Sequence, residues 1–125
     1  MKNITDKISR YLSAWNEKTT ESVKAAFLEC CAPEITFTDR EVSTYTDDPD
    51  RLIKGIDELT DLVIASVAKI PSYTFSILTT PQYFDGHGLY SWGLQIPGQE
   101  VKVGWDYFQY NAENMITSIV GFLPE

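Results

Sequence analysis

Histidine and cysteine are nearly missing from this chain. His87 is alone, and the two cysteines, Cys30 and Cys31, are neighbours in sequence. One imidazole cannot build a metal cluster by itself, and two adjacent thiols suit neither a disulfide framework nor a zinc site, so no metal or other cofactor is expected. Cys30 and Cys31 read instead as small residues of a helix face, kept reduced in a cytoplasm. Cations are also scarce. Ten Lys and Arg stand against 18 Asp and Glu, for a net charge of −8. That balance argues against a nucleic-acid groove or an anionic membrane surface as partner. No apolar run approaches the roughly 20 residues that span a bilayer, and MKNITDKISRYL lacks the apolar core of a signal peptide. No repeat, linker or low-complexity tract divides the 125 residues, so residues 1–125 are expected to form a single domain.

The chain is rich in apolar and aromatic side chains, 43% and 13% of residues. Ile4, Ile8, Tyr11, Leu12 and Trp15 recur at helical spacing, which predicts an amphipathic helix over about 3–17. Thr19 and Thr20 offer N-caps for a second helix, ESVKAAFLECC, ending before Pro33. EITFTD alternates as a strand, with Ile35, Phe37 and Asp39 on one face. REVSTYTDDPDRLIKG is polar and turn-rich and reads as a long loop, with room for a short strand or helical turn. IDELTDLVIASVAKI is a helix with acids in its first turn and Lys69 in its last. From Tyr73 onward the pattern is of strands: YTFSILTTPQYF as one long segment interrupted or bent at Pro81, then LYSWGLQI, VKVGWDYFQY and MITSIVGFL, separated by the turns at Asp85-Gly86, PGQE and NAEN. His87, in the DGHG turn, reads as a surface residue. Helices first and a meander of strands afterwards predict an α+β fold, with helices laid across one face of an antiparallel sheet.

VGWDYFQY raises a question of chemistry. Val, Trp, Tyr and Phe favour a pleated, half-buried surface, where Asp is depleted. A buried carboxylate needs a partner, or its pKa rises. One face of this strand carries Val101, Val103, Trp105 and Tyr107, the other Gly104, Asp106, Phe108 and Tyr110. Both faces look apolar, so helices are expected over one and a second subunit over the other. Tyr11, on the apolar face of the first helix, and Asp39, continuing the inner face of the first strand, are polar groups that point toward the same interior. Each of the three has a structural alternative: a core tyrosine bonded to a carbonyl, a turn-capping aspartate, and an aspartate that is exposed or makes a structural hydrogen bond.

The succession RYLSAWN, APEITFTD, KGIDELTDLV and GWDYFQYNAENMITSIVGF resembles the nuclear transport factor 2-like, SnoaL-like superfamily over nearly the whole chain. The resemblance implies a cystatin-like α+β fold: a cone of curved antiparallel sheet with three helices from the N-terminal half on its concave face, around an apolar pocket. Its site residues resemble those of ketosteroid isomerase. By that likeness Tyr11 and a protonated Asp106 would bind the substrate oxyanion, and Asp39 would shuttle the proton. This enzyme class is a known case of a carboxylic acid held neutral by an apolar site. The chain departs from the isomerases in a longer loop after Asp39, loaded with Asp47, Asp48 and Asp50, and in Arg40, which in a strand would face away from Asp39.

Tyr11, Asp39 and Asp106 are therefore the candidate catalytic residues, and Trp15, Phe37, Tyr90, Trp92 and Phe108 the candidate ligand-binding ones. Tyr45, Tyr83 and Phe84 are further candidates for the wall, and the face shared by Tyr90, Trp92, Leu94 and Ile96 suits either core or wall. An apolar cone with a base at its rim and two neutral donors suits enolisation of an apolar carbonyl compound, without metal or cofactor. The expected function is an isomerase, cyclase or dehydratase. The alternative is a binding or dimeric interaction module that uses the same cone without turnover.

Overall fold

The structure, a computed structural model, describes residues 3–42 and 46–124. Helix α1 spans Ile4–Ala14; its N-cap, Asn3, accepts the Asp6 amide at 2.9 Å. Helix α2 spans Thr20–Cys30 and is capped by Thr19, whose hydroxyl accepts the Ser22 amide. Cys31 does not continue α2. It is extended and opens strand β1, Cys31–Thr38, pairing with Ile116 far along the chain. Pro33 would have neither an amide for the helix nor room for its ring against the preceding turn, so the helix stops ahead of it. Cys30 and Cys31 are both buried and free.

Strand β2 is short, Ile53–Lys54, and leads directly into helix α3, Gly55–Lys69. It falls within the stretch expected to be mostly loop. Upstream, Lys54 pairs with Asp48 at 2.8 Å, which holds that carboxyl below its ordinary range. YTFSILTTPQYF divides into β3, Thr74–Ile77, and β4, Gln82–Phe84, with Pro81 between them. β5, His87–Gln95, β6, Lys102–Tyr110, and β7, Ile116–Phe122, complete the chain. Asp85 and Gly86, at φ 50° and 83°, form a two-residue turn of the kind that matches strand twist, and pair Phe84 with His87.

The seven strands form one sheet in the order β2-β1-β7-β6-β5-β3, with β4 also pairing β5. All pairings are antiparallel except β1 with β7, so the sheet is mixed. Register shifts in β1 and β6 mark bulges, which bend a sheet. The helices cover one face. Ile8, Phe27, Ile35, Leu59, Phe108 and Ile119 are all fully or almost fully buried between the layers, each stabilising the fold by about 1.5–3 kcal/mol through burial.

The two faces of β6 behave as the alternation predicts. Gly104, Asp106 and Phe108 are buried under the helices, whereas Val103 and Trp105 are 46% and 42% exposed on the outer face.

Candidate functional site

A cavity of about 490 Å³ opens between the helices and the inner sheet face, within the usual range for small-molecule sites. α1 and its C-cap contribute Tyr11 and Trp15, β1 Phe37, α3 and its C-cap Leu62 and Ile70, and the sheet Phe75, Trp92 and Leu94. Tyr11, Asp39 and Asp106 all line it. Among the described residues no cluster of His, Cys, Asp and Glu could hold a metal ion.

Asp106 is 5% exposed. Its Oδ2 accepts the Tyr90 hydroxyl at 2.5 Å and its Oδ1 accepts the Trp92 indole N–H at 3.1 Å. Both partners follow from strand register. Tyr90 stands directly opposite Asp106 on β5, and Trp92 is opposite Gly104. Only glycine fits there: a Cβ at Gly104 would meet the indole at 2.1 Å. The indole therefore lies across the backbone and turns its N–H to Asp106. Burial pushes the Asp106 pKa up to about 6; the bonds from Tyr90 and Trp92 act against that rise, and nearby Asp39 adds to it.

Tyr11 is 1% exposed and packs its ring on Phe27. Its hydroxyl has no hydrogen-bond partner among the described residues. Burial, then the neighbouring Asp106, raises its pKa well above the ordinary value. The Trp15 indole acts in the opposite sense, but its approach falls outside hydrogen-bond geometry. Trp15 could only donate, so the Tyr11 proton is unused either way.

Asp39 lies one residue past β1, at the cavity rim. Its Oδ1 accepts the Glu41 amide at 2.8 Å, so it does cap a turn. Burial raises its pKa, and that amide bond opposes the rise. Gly121 on β7 keeps the space between the two carboxylates open: a Cβ there would sit 3.3 Å from Asp106 Oδ1 and 3.4 Å from Asp39 Cβ. Because the strand has ended, Arg40 does not face away. It lines the mouth with Asp39 and donates to the Pro124 carbonyl at 2.9 Å.

Of the other expected wall residues, Trp15, Phe37 and Trp92 line the cavity, as do Leu94 and Ile96, whereas Tyr90 and Phe108 do not. Both are fully buried a layer deeper. Tyr90 supports Asp106 from below, and Phe108 fills the space over Gly88 that any side chain there would need. Tyr83 and Phe84 are 51% and 82% exposed on β4, away from the cavity. Tyr45 lies outside the described residues. His87 is exposed; its Nδ1 shares a hydrogen bond with the Tyr107 hydroxyl outside the cavity. Leu62, Ser66 and Lys69, with the C-cap Ile70, were missed as wall residues, although the spacing of the first three puts them on one face of α3.

No protein-family model and no curated protein matches the chain. Solved structures do. A proposed isomerase of the SnoaL-like family from Agrobacterium tumefaciens is 27% identical over 96% of both chains, with a TM-score of 0.79. A proposed SnoaL-like polyketide cyclase from Jannaschia is 10% identical, over 94% of this chain and 85% of that one, with a TM-score of 0.66. A nuclear transport factor 2-like protein of unknown function from Mesorhizobium loti is 15% identical, over 98% and 91%, with a TM-score of 0.67. These likenesses place the chain in the superfamily of SnoaL-like and nuclear transport factor 2-like folds, as an α+β cone.

Proposed function

We propose that the cavity binds a small apolar carbonyl compound and that the protein acts on it as a cofactor-independent acid–base enzyme of the isomerase, cyclase or dehydratase type. The observation that carries this reading is a buried phenol with an unspent proton, Tyr11, in the same cavity as an aspartate pushed up to about 6 and a second aspartate at the rim. The carbonyl oxygen would sit by Tyr11 and Asp106. Asp39 takes the proton from the carbon next to the carbonyl, the C–H electron pair forms the enolate, and the negative charge moves to oxygen. Tyr11 donates to that oxygen. Asp106 becomes a donor as well by taking up a proton from water, because an anion beside a carboxyl of pKa near 6 favours its protonated form. Asp39 then returns the proton, to the same carbon or to another along the enolate. Tyr90 and Trp92 hold the Asp106 carboxyl in place throughout.

Proton exchange tests this. In D2O, NMR should show catalysed loss of the α-proton signal of 2-tetralone, absent in Asp39→Asn, which should still bind 2-naphthol. Tight naphthol binding with no exchange in the native protein would instead favour the alternative, a ligand-binding module without turnover.

We also propose a two-fold homodimer through the outer sheet face. Register sets Trp105 beside Phe122, and Tyr107 between Leu89 and Val120. Leu89, Val103, Trp105 and Phe122 are each more than two-fifths exposed. Contiguous apolar patches of this kind are unusual on monomers. With a net charge of −8, copies repel one another elsewhere, and an uncharged face is where they can meet. Light scattering should give twice 14.2 kDa, reverting to the monomer mass in Trp105→Lys. A monomer at micromolar concentration would refute the assembly. Two unpaired buried cysteines fit a reducing cytoplasm.

A further inference from the structure

Two donors at the cavity mouth take no part in the proton transfer above. Lys102 is the first. It lies on β6 in phase with Gly104 and Asp106, so it shares their inner face, and it lines the cavity opposite Leu94. Four residues of strand put its Cα about 13 Å from that of Asp106. Between them the Trp92 indole, lying over Gly104, forms an apolar floor. Lys102 is exposed and makes no ion pair among the described residues. The second donor is Tyr73, which precedes β3 and lines the same cavity. It is only 4% exposed, yet its hydroxyl has no partner among the described residues. Ring contacts of 5.2 Å to Phe75 and 5.4 Å from Phe75 to Trp92 link it to the indole that holds Asp106.

Both donors thus stand at the end of the apolar floor away from Asp106. The charges there favour an anion: the Lys18 ammonium lies 4.4 Å from the Tyr73 ring centroid. The acids of the mouth, Asp39 and Glu41, follow β1, which is separated by β7 from the β6 strand of Lys102 and by β7, β6 and β5 from β3, next to Tyr73.

We infer that the substrate carries a carboxylate at the end of its apolar body opposite the reacting carbonyl, received by Lys102 and Tyr73. This rests on the reading that places the carbonyl at Tyr11 and Asp106, and it makes the cavity selective for keto acids of about two fused rings in length. The protein's overall charge works against any anionic ligand, so a preference for one must come from these local groups.

A matched pair of probes tests the inference: 2-naphthol and 6-hydroxy-2-naphthoic acid, their binding read from quenching of tryptophan fluorescence. The acid should bind about five- to tenfold more tightly. Its advantage should vanish in Lys102→Met, shrink in Tyr73→Phe and narrow with added salt. Binding of 2-naphthol should be unchanged in both variants, which also shows that they fold. A carboxylate that gives no advantage, or an advantage that survives Lys102→Met, overturns the inference. Naphthol binding that weakens in Asp106→Asn upholds the carbonyl end regardless, whereas failure of both probes to bind overturns both readings.

Discussion

Replacing Asp106 with Asn should change how stability depends on pH, by an amount that follows from burial. In the folded protein the carboxyl titrates at about 6, against 3.8 for the ordinary group. The folded state therefore holds this proton more tightly than the unfolded chain does. Its contribution is fully present below pH 3.8 and is lost as pH rises through about 6. Two pH units at 1.36 kcal/mol each give a loss of about 3 kcal/mol. Solvent screening removes little of this, because the residue is only 5% exposed. The amide of the Asp106→Asn variant cannot ionise, so that protein lacks the loss. It has its own pH-independent cost of about 1–3 kcal/mol, since one amide cannot accept from both Tyr90 and Trp92 without turning its own NH2 toward one of them. The discriminating quantity is thus the pH dependence of the difference, not its value at one pH. Urea unfolding of both proteins from pH 3.5 to 8 should show the native protein losing about 3 kcal/mol relative to the variant between pH 4 and 7. Parallel curves, or a native protein that gains on the variant as pH rises, would mean that the carboxylate is stabilised by its partners, and the desolvation argument would be wrong.

Two further substitutions probe the supports of the site. Tyr90→Phe removes the donor at 2.5 Å that holds Asp106 down, so the midpoint of the Asp106 carboxyl carbon, followed by NMR, should rise above 6; a fall would show that Tyr90 is not a donor to the ionised form. Gly104→Ala places a methyl 2.1 Å from the Trp92 ring. It should cost about 2–3 kcal/mol in urea unfolding and red-shift tryptophan emission as the indole leaves Asp106, whereas Gly98→Ala, with open space around it at φ 80°, should leave the emission unchanged.

Local sequence determined the elements whose signals are local. The periodicity of Ile4, Ile8, Tyr11 and Leu12 gave α1, because a helix closes its hydrogen bonds within four residues. Alternation around Asp106 gave the two faces of β6, because a strand reverses its side chains at each residue. Non-local pairing was not legible. β1 starts at Cys31 rather than near Glu34 because β7, more than 80 positions away, supplies its partner there. The depth of Tyr90 and Phe108 was also decided by tertiary structure, since alternation says that a residue faces inward but not whether another layer lies between it and a cavity. Register across β5 and β6 made Tyr90 and Trp92 the partners of Asp106. That the Tyr11 and Tyr73 hydroxyls lack partners among the described residues is a fact about every surrounding element at once. A sequence names the groups that need hydrogen bonds, and only the packed chain decides which of them are left without one.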